Sequence, residues 1–211
     1  MKAFFAIAFL ASASLWDLKP SELTKPLTER ETIWRDIEAA PEKVLAVEQA
    51  VTRYGLTKSR YEKVAKGIPP AVIFVLHMRE STWSFAKHLH EGSPLTGRTK
   101  WVPKGRPAAG TPPFSWEESA RDALYVIKSY DAPAKWATVD ATLDWIERFN
   151  GLGYRNKGLR SPYVVAGSSL QQPGKYIADG KFSKTAWDSQ LGCATVLKAL
   201  AKRGYYTPPK S

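Results

Sequence analysis

The chain holds a single cysteine, Cys193, so no intrachain disulfide forms and no zinc finger or ribbon spacing exists. Its setting, Gly192-Cys193-Ala194-Thr195-Val196-Leu197, reads as the packed face of a helix, where a free thiol behaves as a small hydrophobe. A nucleophilic cysteine needs an electropositive, partly exposed site and a nearby base, and neither is signalled here. No apolar run reaches the roughly 20 residues a membrane span requires. Two histidines four apart with a glutamate after the first, the helical zinc signature, are missing. There is no RNP-like strand, no basic heptad pattern and no internal repeat. Acidic residues are scarce, 20 against 31 lysines and arginines, which leaves a net charge of +11 and a pI near 9.7. Such a balance points to an anionic partner, and nucleic acid, acidic lipid and cell wall polymer all satisfy it. The basic residues are scattered rather than gathered in a tail, which favours steering over a dedicated binding arm.

Aromatic residues, by contrast, are plentiful: eight Trp, nine Tyr and eight Phe in a chain that is 44% hydrophobic. That composition excludes disorder and supplies the core of one ordinary domain. The N-terminus, Met1 to Ala13, combines one lysine, a short apolar stretch and small residues in an Ala-x-Ala arrangement. Residues 1–16 are therefore expected to be a secretory signal, cleaved near Ala13, or a weak N-terminal anchor. Residues 17–27, with Pro20 and Pro26, read as a linker, and 28–211 as a single domain.

Within that domain, Thr28-Glu29-Arg30-Glu31 and Ser115-Trp116-Glu117-Glu118 have the form of capping boxes. The first opens a helix to about Ala39. A second follows Pro41 and stops at Gly55, and a third covers Ser59 to Lys66. The central element is Pro69-Pro70 followed by Ala71-Val72-Ile73-Phe74-Val75-Leu76-His77-Met78-Arg79-Glu80-Ser81, too long an apolar run for an ordinary strand and started by prolines that a helix tolerates in its first turn. It predicts a helix buried nearly all round, ending in an acid. Burial and the negative end of the helix dipole both favour a protonated Glu80.

Further along, residues 84–99 lose all periodicity and form a polar loop of the kind that carries sites. Lys100 to Pro107 predicts a short hairpin or an extended arm. Helices are expected from Ser115 over Ala120, Leu124 and Ile127, from Thr138 to Asn150, and from Lys184 to Arg203. Lys157 to Gly174 reads as loop, and Tyr176 to Phe182, with Asp179-Gly180 at its turn, as a small hairpin. The fold class is mainly α, a helical domain around one buried helix with a small β element.

Three chemistries fit these residues. His77, Glu80, His88 and His90 supply the donor types of a metal-dependent hydrolase. Scattered basic residues and aromatics suit nucleic acid, although an export signal argues against it. A noncatalytic wall-binding protein is consistent with both charge and export.

The ordered set His77-Met78-Arg79-Glu80-Ser81-Thr82-Trp83-Ser84-Phe85, His88-Leu89-His90-Glu91-Gly92, Leu95-Thr96-x-Arg98-Thr99, Val102-Pro103-x-Gly105-Arg106-Pro107 and Pro113-Phe114-Ser115-Trp116-Glu117-Glu118-Ser119 resembles bacterial and phage lysozyme-family proteins. The likeness continues through Phe149-Asn150-Gly151-Leu152-Gly153-Tyr154, Ser161-Pro162-Tyr163 and Lys175-Tyr176-Ile177-Ala178-Asp179-Gly180, covering roughly residues 60–200. It implies a lysozyme-like α+β fold, with a glycosidase or lytic transglycosylase acting on peptidoglycan. In that superfamily a Glu-Ser pair at the end of a buried helix carries the acid, and an Asn-x-Gly-like turn lines the cleft. These roles map to Glu80 and to Asn150, Gly151 and Tyr154. His88, His90, Arg98, Trp101 and Arg106 become candidates for substrate contact. An Asn-Gly-Asp-like loop expected of relatives is here Glu91-Gly92-Ser93, so the resemblance leaves open whether Glu91 replaces that loop's Asp as a second carboxylate, and with it the mechanism. The implied partner is peptidoglycan, met by an exported monomer with no cofactor, metal or nucleic acid.

Overall fold

A computed structural model describes residues 28–178 and 180–210. The expected leader, the linker and Asp179 lie outside the described residues. The rest is mainly helical, with seven α-helices and one two-stranded antiparallel sheet. In order these are α1 (Glu29–Asp36), α2 (Val44–Glu62), α3 (Pro70–Ser81), α4 (Trp116–Arg121), α5 (Val139–Asn150), α6 (Pro162–Val165), β1 (Lys175–Ala178), β2 (Lys181–Ser183) and α7 (Cys193–Lys202). None of the described helices is long and apolar enough to cross a membrane.

Helix α3 is the axis of the molecule. Every residue from Ala71 to Met78 is buried, because α2 and α7 pack along it and α5 closes it from a further side. Fully burying each Val, Ile, Leu or Phe contributes roughly 1.5–3 kcal/mol. Phe74 is the most heavily partnered of them, with rings of Tyr54, Tyr61 and Trp83 at 5.1, 5.4 and 5.2 Å. Its truncation to alanine is expected to cost about 3–5 kcal/mol.

Both capping boxes form. Thr28 and Ser115 accept from the backbone of Glu31 and Glu118, whose carboxylates return the bond. Helix α1 ends at Asp36, three residues before the expected Ala39. The two short helices expected on either side of Gly55 are one continuous helix, α2. Gly55 is not a stop there. A Cβ at this position would lie 3.0 Å from the Tyr205 hydroxyl, so the glycine makes room for a ring packed across the helix.

Helix α4 runs on into a π-helical turn, Asp122–Ile127, a distortion that rotates the following side chains relative to an α-helix. The 100–107 segment forms no strand. It is a closed loop, with Thr99 N–H donating to Arg106 O at 2.8 Å and Gly105 N–H to Thr99 O at 2.9 Å. The expected loop 157–174 contains the buried helix α6, opened by Ser161 and Pro162. The hairpin is present, with Tyr176 opposite Phe182. The last helix starts at Cys193 rather than Lys184. Residues 184–192 instead form an extended strap, held by Gly174 N–H to Ala186 O at 2.8 Å, Gln171 Nε2 to Asp188 O at 2.9 Å and Gly192 N–H to Ala166 O at 2.7 Å.

Candidate functional site

Glu80 stands at the C-terminal end of α3, partly buried. Its Oε1 accepts from the Tyr163 hydroxyl at 2.8 Å, and Oε2 accepts no hydrogen bond among the described residues. Burial pushes its carboxyl up to about 7, against the opposing pull of the Tyr163 hydrogen bond and the Arg79 and Lys128 charges, with Glu91 adding to the upward shift. Removal of water around a carboxylate is thus the dominant effect, and Glu80 is half protonated near neutrality.

Tyr163 is supplied by α6 and is itself buried, its hydroxyl driven well above the ordinary range by burial first and the Glu80 charge second. The Arg79 guanidinium lies 5.0 Å from the Tyr163 ring centre. Arg79 does not pair with its neighbour Glu80. It donates to Asp188 Oδ2 at 2.8 Å and to Leu191 O at 3.3 Å, with both charged side chains nearly sealed from solvent. Burial acts to raise Asp188, but the bond and charge of Arg79 outweigh it and hold the carboxyl below its ordinary value. Lys175 Nζ lies 3.4 Å from the other Asp188 oxygen. Lys128, delivered by the end of the π turn, donates to Phe149 O at 3.0 Å. Burial lowers its ammonium, and the charge of Glu80 partly restores it.

A polar cavity of about 280 Å³ opens beside this network, lined by Arg79, Asn150, Tyr154, Tyr163, Lys175, Tyr176, Asp188 and Gln190. Two of the expected substrate residues, Asn150 and Tyr154, are in that wall. Gly151 adjoins it at φ 106°, where its N–H closes α5 on Glu147 O at 3.0 Å. Tyr154 is also structural, since its hydroxyl accepts from Tyr176 N–H at 3.1 Å and holds the hairpin.

No family model, curated protein or solved structure matches the chain. The arrangement of side chains must therefore carry the functional reading.

The remaining expected contacts are placed elsewhere. His77, three residues before Glu80 on the same helix, has different partners. The His77 ring is turned into the core, its Nδ1 3.0 Å from Tyr61 Oη and its Nε2 3.2 Å from Ser84 O, and burial lowers it to about 4. His88 bridges Ser119 Oγ and Gly97 O, both at 2.8 Å, and is fully buried. His90 bonds Asp122 Oδ2 at 2.7 Å, and Arg106 forks onto the same carboxylate, Nε to Oδ2 at 2.9 Å. These three tie the 84–107 loop to α4 and its π turn, with both ring nitrogens of each histidine within reach of a partner and two of the Arg106 guanidinium nitrogens taken by Asp122. The four donors of the metal alternative are accordingly dispersed, and no group of three or more potential ligands converges among the described residues. Arg98 donates to Gly110 O at 2.8 Å. Trp101 is 70% exposed and does not line the cavity. Cys193 is buried, and burial pushes its thiol far up, which suits the packing role read from its neighbours.

Glu91 is close enough to raise Glu80. One of its oxygens is taken by Ser93 N–H and Oγ–H, and the other, Oε2, is buried with no partner. Gly92 brings this loop against α3. At φ 82° a Cβ would meet Glu80 O at 2.7 Å, so only glycine allows the approach.

Tyr163, Lys128, Lys175, Asp188 and Gln190 have no functional role assigned from the sequence, yet they stand around Glu80 and the cavity. Ser161-Pro162 was a usable helix-start signal for Tyr163. Nothing local marked the others.

Proposed function

We propose that the protein is a glycosidase that cleaves the β-1,4 glycan of peptidoglycan, with Glu80 as general acid. The observation that carries this reading is a carboxyl lifted to about 7 by burial, steadied by Tyr163 and joined through that tyrosine to a polar cavity. An acid of this kind is protonated often enough at neutral pH to donate to a leaving oxygen and ionised often enough to take the proton back. Hen-type lysozyme tunes its acid in the same way. The motif resemblance supplies the substrate class and the finer fold, a lysozyme-like domain. Asn150 and Tyr154 would contact sugar, and the positive surface would steer the protein to an anionic wall. Glu91, with one unpartnered buried oxygen, is the candidate second carboxylate. It serves as base or electrostatic partner to the oxocarbenium-like transition state. Export as a monomer belongs to the same proposal.

The test is Glu80→Gln in the purified protein, assayed by release of soluble fragments from cell walls. Loss of a general acid is expected to reduce the rate about 100-fold or more with the fold retained; activity within a few-fold of the parent would refute the assignment. Mass spectrometry of the fragments reads the chemistry, since a 1,6-anhydro end marks a lytic transglycosylase and a reducing end a hydrolase. Wall binding with no fragments released would favour the noncatalytic alternative.

A further inference from the structure

On the neighbouring flank of α3 lies a groove of about 610 Å³, within the size range of ligand sites. One wall is a face of α2 carrying Gln49, Arg53 and Leu56; the other is formed by Met78 and Trp83, and Gln190 of the strap stands at one end. Gln190 also lines the polar cavity beside Tyr163, so the two spaces adjoin across one side chain.

The backbone at this groove is unusual. Thr82 and Trp83 have φ values of 54° and 58°, two consecutive L-residues in the left-handed region. A β-branched residue there is a true outlier, and such conformations concentrate at functional sites. Their effect is to fold the chain back, with Trp83 N–H on His77 O at 3.3 Å, and to lay the indole on Phe74 at 25° and 5.2 Å. The indole Nε1 is buried and has no hydrogen-bond partner, an unusual state for a buried donor. The Arg53 guanidinium sits 5.3 Å from the indole centre. Arg53 is exposed and forms no ion pair with any described acidic group. Beside it Leu56 is 82% exposed.

The indole is covered by Phe74 from the core and by Arg53 from the groove, so it is not open as a platform for a sugar ring. What the groove offers is an unpaired cation, carboxamides at its edges and an apolar floor. Those groups match a short extended peptide bearing a carboxylate: the Arg53 cation takes the acid, the Gln49 and Gln190 carboxamides take main-chain groups, and Leu56 and Met78 take small apolar side chains. We propose that this groove holds the acidic peptide stem of a wall glycan while the glycan itself lies at Glu80. This rests on the function proposed above and assigns a second part of the substrate to a separate region.

The test compares the full chain with Arg53→Glu and Leu56→Asp, both exposed positions, on wall glycan fragments carrying their peptides and on the same fragments stripped by an amidase. The ratio of kcat/KM for peptide-bearing over stripped glycan is expected to fall about tenfold in each variant, through KM, because Arg53→Glu removes the charged contact and Leu56→Asp sets a carboxylate against the acidic peptide. Arg53→Lys should restore most of it. An unchanged ratio would overturn the inference while leaving Glu80 as the acid. A second readout needs no catalysis: a synthetic acidic stem tetrapeptide titrated into the Glu80→Gln protein, followed by Trp fluorescence and by amide shifts in α2. Saturable shifts that Arg53→Glu abolishes support the groove even if no glycan is ever cleaved, whereas no shift at millimolar peptide refutes it.

Discussion

His77 and Glu80 are three residues apart at the end of one helix, and burial disfavours the charged form of both. The results are opposite. His77 is enclosed by Tyr61, Phe85 and Trp116, with a partner for each ring nitrogen, and burial fixes it as a neutral core group. Glu80 meets burial with one oxygen bound to Tyr163, which lines a cavity, and the other without a hydrogen bond among the described residues. For an acid, suppressing the charge means retaining a proton that is available for transfer. Desolvation by itself therefore does not mark a site; desolvation with unfilled hydrogen-bonding capacity does. The loop cluster of His88, His90, Arg106 and Asp122 falls on the His77 side of this division, since its polar groups are largely engaged within the protein.

The largest test of that division is activity. Glu80→Gln should lower wall cleavage about 100-fold or more, while His77→Gln should leave the activity per folded molecule within a few-fold and reduce thermal stability instead. Equal losses of activity would abolish the distinction. In the loop cluster, Asp122→Ala strands His90 and Arg106. It is expected to cost about 3 kcal/mol of stability, measured by urea unfolding, because breaking a largely buried pair exceeds what the pair itself contributes.

Stability against pH separates the two residues by sign. Between about 4 and 6.5 the unfolded chain holds a proton on His77 that the native state does not, so stability rises with pH across that window by about 3 kcal/mol. Between 4.5 and about 7 the native state holds a proton on Glu80 that the unfolded chain has released, so stability falls as pH rises there. After discounting for the partial exposure of Glu80, that fall is about 2 kcal/mol. Glu80→Gln should thus be more stable than the parent at pH 8 and match it near pH 4, in chemical denaturation at each pH. The smallest expected effect is at Tyr163→Phe. Its hydrogen bond pulls Glu80 downward, so its removal should shift the alkaline limb of the activity profile to higher pH and lower kcat about tenfold.

The parts of the fold legible in the sequence are those whose causes are local. Thr28 and Ser115 cap their own helices, the apolar run after Pro69-Pro70 is its own signal, and the hairpin alternates about its turn. The failures have distant causes. Gly55 reads as a stop because the ring that needs its missing Cβ is Tyr205. Residues 184–192 read as helix because nothing nearby reveals that Asp188 is drawn to Arg79 and Lys175. The acid was legible at Glu80 because helix burial and its terminal position are both local properties. Its supports were not, because Tyr163 and Asp188 reach it only through the fold. His88, His90 and Arg106 misled in the reverse direction: polar residues in an aperiodic loop look available until their partners in α4 and its π turn are seen.

The dependence of this end of α3 on distant residues also has a consequence for synthesis. Tyr163 lies 83 residues after Glu80, and Asp188, which fixes Arg79, lies 109 residues after it. A ribosome that has delivered the acid must add all of these before its surroundings exist. Until then the carboxyl is hydrated, titrates as an ordinary glutamate and is ionised in the cytoplasm. The raised carboxyl is therefore a property of the completed fold, present only once the strap has been made and laid down.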